Sequence, residues 1–191
     1  MRIIAGVSKG KTLASPSERT RPTSDRAREG LFSSLESEFA TIKDLKFLDL
    51  FSGSGAVGVE ALSRGAALVH SVEKDEGAFA ISSTNFGMVK GAPGKYHIYK
   101  MSVLTFLKTA GNIGYDIIFM DPPYEFTNQQ IEEMLEIIHT SGILDEKGLI
   151  AVERAAKGNP FTWPDPLVQE KIRSYGQGSI FYGGYSASVL P

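Results

Sequence analysis

Residues 46–58, KFLDLFSGSGAVG, decide the fold. The apolar, β-prone run 46–51 reads as a buried strand, and Ser52-Gly53-Ser54-Gly55 then turns the chain into a helix expected over 56–64. Gly53, Gly55 and Gly58 satisfy G-x-G-x-x-G, the spacing with which a strand-turn-helix unit presents backbone amides to a nucleotide. Outward from this unit the same alternation repeats. Further strands are expected at 68–73, 96–101, 115–120 and 148–153, and helices at 75–87, 103–109 and 128–141. Strands alternating with helices predict a parallel sheet covered on both faces. After Pro160 the pattern changes: Val168 to Tyr175 and Ser179 to Tyr182 flank Gly176-Gln177-Gly178 and are expected to pair as an antiparallel hairpin.

Upstream, Ala27, Leu31 and Leu35 form the apolar stripe of a helix that Thr23 or Ser24 can cap. Arg2 to Ala5 and Lys11 to Ala14, joined through Ser8-Lys9-Gly10, are read as a small N-terminal β-hairpin, and Ser15 to Pro22 as a loop. The expected organisation is therefore a basic hairpin and loop over 1–22 and one α/β domain over 23–191.

With 191 residues, 42% hydrophobic and 22% charged, the chain has the make-up of one well-buried soluble domain. It contains no cysteine, which excludes disulfides and thiolate metal sites and fits a reducing cytoplasm. No apolar run has the length of a membrane span, and His70, His97 and His139 lack ligand spacing, so neither a membrane nor a metal is expected. The net charge of -2 is uninformative, but its distribution is not. Residues 1–30 hold seven Lys or Arg against three acids. Such a basic arm, with Arg2, Lys9, Lys11, Arg21, Arg26 and Arg28, suits a phosphate backbone. Pairing of Arg28 with Asp25 or Glu29 is the competing reading.

Two acids and one tetrapeptide mark the chemistry. A dinucleotide site would place pyrophosphate on the glycine turn, but Asp49 would repel it; the same carboxylate complements the ammonium of a methionine-type ligand. Asp49 thus favours S-adenosylmethionine over a nicotinamide cofactor. Glu73, at the end of LVHSVE, is placed to accept from two ribose hydroxyls. The buried strand YDIIFM runs into Asp121-Pro122-Pro123-Tyr124, where the prolines stop the strand and hold their neighbours' carbonyls. A planar exocyclic amine can donate to the Asp121 carboxylate and the Pro122 carbonyl while its ring stacks on Tyr124.

DLFSGSG, an acid at the next strand end and DPPY together resemble the class I amino-methyltransferases. RIIAG, RPTSDRAREGLF and DLFSGSGAVGVEALSRGA narrow this to a resemblance to the RsmD family, which methylates a guanine N2 of small-subunit (16S) ribosomal RNA. The resemblance implies a Rossmann-like, mostly parallel seven-stranded sheet and S-adenosylmethionine as methyl donor. Gly53 and Gly55 would then line its methionine and ribose portion and Glu73 its ribose, with Phe51, Ser52 and Lys74 as further cofactor contacts. Asp121 to Tyr124 would hold the target amine. Ser102 stands where the family commonly has an aspartate for the adenine amine, with backbone around Ser102 and Val103 as the remaining contact. The implied partner is ribosomal RNA or the assembling small subunit, met by a monomer. Three rivals stay open: an adenine-N6 methyltransferase, a glutamine methyltransferase acting on protein, and a non-catalytic RNA-binding module with a decayed cofactor site.

Overall fold

The structure, a computed structural model, describes residues 1–15, 25–155, 161–176 and 178–186. Its centre is a seven-stranded sheet in the order β3-β2-β1-β4-β5-β7-β6. Strands β1 (Lys46–Leu50), β2 (Leu68–Val72), β3 (Lys95–Tyr99), β4 (Tyr115–Met120) and β5 (Leu144–Ala155) run parallel, whereas β6 (Leu167–Tyr175) and β7 (Gly178–Tyr185) form the antiparallel pair. Helices α1 (Asp25–Phe39), α2 (Ala56–Ser63), α3 (Glu76–Gly87), α4 (Val103–Thr109) and α5 (Asn128–Ser141) fall where the periodicity placed them. The one long discrepancy is β5, which starts at Leu144 because that residue pairs with Tyr115 across an irregularity in the ladder.

The strands at the centre are largely apolar, Lys46, Asp49 and Asp116 apart, because both of their faces are covered. Leu31, Phe32 and Leu35 of α1 join Val57, Val59 and Ala61 of α2 over Phe47, Ile117 and Ala151. Across the sheet, Phe106 and Leu107 of α4 join Ile131, Leu135 and Ile138 of α5 over Leu48, Ile118 and Ile150. Helix α5 starts on a reciprocal capping box between Thr127 and Gln130.

The N-terminal hairpin does not form. Residues 1–15 contain one isolated antiparallel bridge, Arg2 with Thr12, instead of two strands. The reason lies in α2. Glu60, fully buried, accepts from the backbone amides of Ile4 at 2.8 Å and Ala5 at 2.9 Å, and Val7 N–H donates to the Ser63 carbonyl. Backbone bonds close the segment near its open end, from Ile3 N–H to the Lys11 carbonyl at 2.9 Å and from Leu13 N–H to the Met1 carbonyl at 3.1 Å. The Ala5 and Val7 amides turn to α2 instead and the pairing extends no further, while Ile3 and Leu13 enter the core. The cap expected at Thr23 or Ser24 lies outside the described residues.

Candidate active site

In a parallel sheet all carboxyl ends point the same way, so residues that follow β1, β2, β4 and β5 meet at one rim. Asp49, on β1, pairs in register with Ser71 of β2 and Phe119 of β4. It is 1% exposed, and its Oδ2 accepts from the Gly58 N–H in the first turn of α2 at 3.0 Å. Burial pushes its pKa up to about 8 against the pull of that amide, and the carboxylates of Asp121 and Glu73 push the same way. Gly58 is needed for this approach, because a Cβ there would lie 2.7 Å from Ser71 Oγ and 2.8 Å from Phe86 Cζ.

The turn between β1 and α2 is held from the next strand end. Glu73 Oε2 accepts from Gly53 N–H at 2.8 Å and its Oε1 from Asp75 N–H at 2.7 Å. Gly53 and Gly55 take φ of 53° and 74°, which glycine adopts without steric cost. Phe51 takes φ 63°, a conformation unusual for a bulky residue, and sets its ring edge against Phe126 with centroids 5.1 Å apart. Strain of this kind clusters at ligand sites. The Ser52 hydroxyl is buried and, among the described residues, without a partner.

Where β4 ends, Asp121, Pro122 and Tyr124 line a small cleft with Glu153, Arg154 and Gly178. Pro123 closes the turn by accepting from Phe126 N–H at 3.0 Å. Tyr124 is 73% exposed, so its ring is available to an incoming aromatic base. Arg154 donates to the Phe126 carbonyl at 2.7 Å and lines the same cleft as Asp121; burial lowers its pKa and the charge of Asp121 opposes that.

Asp49, Phe51, Ser52, Gly53, Gly55, Glu73 and the Asp121 to Tyr124 tetrapeptide therefore share one rim. Lys74 is exposed just beyond Glu73. Ser102 is the N-cap of α4: its Oγ accepts from Thr105 N–H at 3.1 Å and lies 2.7 Å from Thr105 Oγ1. Val103 follows it, buried. Of the basic set, Arg2, Lys9, Lys11 and Arg26 are exposed, with Lys11 Nζ donating to the Met88 carbonyl, and Arg21 lies outside the described residues.

Arg28 is a correction. Its side chain is fully buried, donating to the Arg2 carbonyl and to Asp25 at 3.0 Å, with Glu60 at 3.8 Å. A guanidinium enclosed this way ties α1 to the N-terminal arm and presents no charge to a phosphate.

Four residues escaped the sequence reading. Glu153 and Arg154 end the apolar run GLIAV beside Asp121, and that strand-end position was a usable signal. Glu60 and Asn85 carried none. Asn85 exchanges two hydrogen bonds with Ala14, at 2.8 and 2.9 Å, and donates to the Ser54 carbonyl at 2.8 Å, joining the arm to the glycine turn.

A parallel sheet ending in an antiparallel pair, a glycine turn flanked by two acids and an acid-Pro-Pro-aromatic corner define a class I S-adenosylmethionine-dependent methyltransferase. The donor set suits that group: converging carboxylates complement an ammonium and a sulfonium, and the orphaned Ser52 hydroxyl has capacity for a ligand. The family described as "Conserved hypothetical protein 95" matches residues 1–183, and the chain belongs to it; this is the RsmD family. The chain is 36% identical over 177 residues to Ribosomal RNA small subunit methyltransferase D of Escherichia coli strain K12, covering 90% of this chain and 84% of that protein. Among solved structures it is similar to the Escherichia coli protein yhhF, with a TM-score of 0.80, 32% identity and coverage of 97% and 98% of the two chains. Magnesium protoporphyrin IX methyltransferase of Synechocystis PCC 6803, with bound SAM, has a TM-score of 0.63 at 14% identity, covering 83% of this chain and 79% of that one. That last likeness concerns the fold alone.

Proposed function

We propose that this protein transfers a methyl group from S-adenosylmethionine to the exocyclic N2 amine of a guanine in small-subunit ribosomal RNA. The observation that carries the reading is the cleft at the end of β4, where Asp121, Pro122 and the exposed Tyr124 stand beside the turn that Asp49 and Glu73 frame. Membership of the RsmD family supports the choice of RNA and of guanine. When bound, S-adenosylmethionine supplies an electrophilic methyl group on a sulfonium sulfur.

The rest of the work falls to the chain's own groups. Guanine N2 is a poor nucleophile because its lone pair is delocalised into the ring. By accepting its two N–H hydrogens, the Asp121 carboxylate and the Pro122 carbonyl localise that pair and orient it. Tyr124 fixes the plane of the base by stacking on it. Arg154 lines the same cleft and puts a cation near the Asp121 carboxylate. After transfer the alkylated nitrogen is acidic, and Asp121 or water takes its proton. The base has to leave its stack to reach the cleft, at a cost of a few kcal/mol, so an unpaired or readily flipped guanine is the fitting target.

Exposed Arg2, Lys9 and Lys11 of the N-terminal segment and Arg26 at the start of α1, with Arg21 as a further cation of the sequence, hold the RNA backbone without reading its sequence. The test is the methylated-nucleoside profile of ribosomal RNA from a strain lacking this protein, followed by restoration in vitro. One N2-methylguanosine disappears and is restored by the wild type. Asp121→Ala lowers the restoration rate about a hundredfold while retaining S-adenosylmethionine binding. An unchanged nucleoside profile, or full activity of Asp121→Ala, refutes the reading.

A further inference from the structure

A second cationic feature lies away from the N-terminal arm. Helix α1 and the edge strand β6 enclose a groove of about 380 Å³, lined by Ser33, Ser34 and Ser37 from the helix and by Lys171, Arg173 and Tyr175 from the strand. The groove exists because α1 carries glycine at position 30. A Cβ there would lie 2.1 Å from the Tyr175 ring, so only glycine lets that ring lie on the helix, with its hydroxyl 3.4 Å from Ser34 Oγ.

Two of the lining groups are cations of different status. Lys171 pairs with Glu38 at 3.1 Å and lies over the Tyr182 ring. Arg173 is exposed and, among the described residues, has no carboxylate partner. A guanidinium with its fork of donors, beside several hydroxyls that can each turn an O–H toward a ligand, suits an oxyanion and a phosphate in particular.

The sheet register places this groove next to the acceptor cleft. Arg173 pairs with Ile180, and Ile180 with Glu153, which lines that cleft. Asp121 follows Met120, whose partner Val152 precedes Glu153. Asp121, Glu153, Ile180 and Arg173 therefore lie along one row across four strands, about 14 Å from end to end at the usual strand spacing. The turn between β6 and β7 joins the two features directly, since Tyr175 of the groove pairs with Gly178 of the cleft.

We propose that the α1/β6 groove, with Arg173 as its cation, holds a backbone phosphate of the same RNA strand whose base enters the Asp121 cleft. This rests on the RNA-methyltransferase reading above and adds to it a second contact surface on the far side of the cleft. A phosphate a few nucleotides along the strand is held there, which keeps the strand taut across the sheet rim and orients the extruded base. A contact to the backbone phosphate reads no sequence.

The test uses the full chain and ribosomal RNA purified from a strain lacking it. Arg173→Glu, on the exposed edge strand, and Ser33→Glu, on the exposed face of α1, each place a negative charge in the groove without touching the cleft or the glycine turn. We expect each variant to raise the KM for RNA about tenfold. For Arg173→Glu the slope of log affinity against log salt falls by about one phosphate contact. S-adenosylmethionine affinity and Tm stay at the wild-type values. If the wild type methylates this RNA and both variants match it in KM and salt slope, the groove assignment is overturned. Variants that match it on naked RNA but fail on assembled subunits overturn it too, in favour of a protein partner. If the wild type itself methylates no RNA, the parent reading fails instead.

Discussion

Asp49→Asn separates what the site needs from what the fold needs. Asp49 is buried, and its pKa stands at about 8 against an aspartate's ordinary 3.8. In the unfolded chain the group ionises near the lower value, whereas the folded protein keeps the proton until the higher one. The folded state therefore binds more protons between the two, so stability falls as pH rises through that window and levels off above about pH 8. Asparagine has no such slope, and its side-chain oxygen can still accept from Gly58 N–H. At pH 7 the difference between variant and wild type is on the order of 4 kcal/mol in favour of the variant, roughly 10 °C in Tm for a chain of this size. The same substitution removes the carboxylate that a cationic ligand would pair with, so S-adenosylmethionine affinity falls about a hundredfold. Urea unfolding of both proteins at pH 5 and pH 8, with calorimetric titration of the cofactor, reads both effects. The variant gains roughly 2 kcal/mol at pH 5 and roughly 5 kcal/mol at pH 8, and loses affinity. Parallel stability curves across that range, or unchanged affinity, would refute the reasoning.

Two further outcomes follow from the geometry. Glu60→Ala strands the Ile4 and Ala5 amides and takes away the carboxylate that Arg28 and Arg64 share, leaving Arg28 with Asp25 and Arg64 with Glu36. It should cost about 3–5 kcal/mol, lower Tm by roughly 10 °C and speed hydrogen exchange at those two amides; a Tm within about a degree of wild type would show the arm is held otherwise. Tyr124→Ala should raise the KM for RNA about tenfold, the worth of one stacked base, with Tm and cofactor affinity unchanged because the ring is exposed. Tyr124→Phe restores the KM if stacking is the contribution, and fails to restore it if the hydroxyl is.

Local chemistry determined much of this protein by itself. Apolar, β-prone runs such as YDIIFM, and glycines at 53, 55 and 58, specify strand, turn and helix over distances the chain sees directly, so the α/β alternation, the antiparallel end and the Asp121 corner are legible in the amino-acid sequence alone. The tertiary structure decided whatever depended on a partner distant in sequence. Arg28 reads as part of a basic arm, but the Arg2 carbonyl and Asp25, with the Glu60 carboxylate that α2 brings up beside them, hold it in the interior, and Glu60 takes the Ile4 and Ala5 amides as well. Arg154 becomes a neighbour of Asp121 only when β5 aligns beside β4, and Arg173 comes into line with both only through β7. Charges act through space, and a sequence fixes their spacing along the chain but not the distances across the sheet.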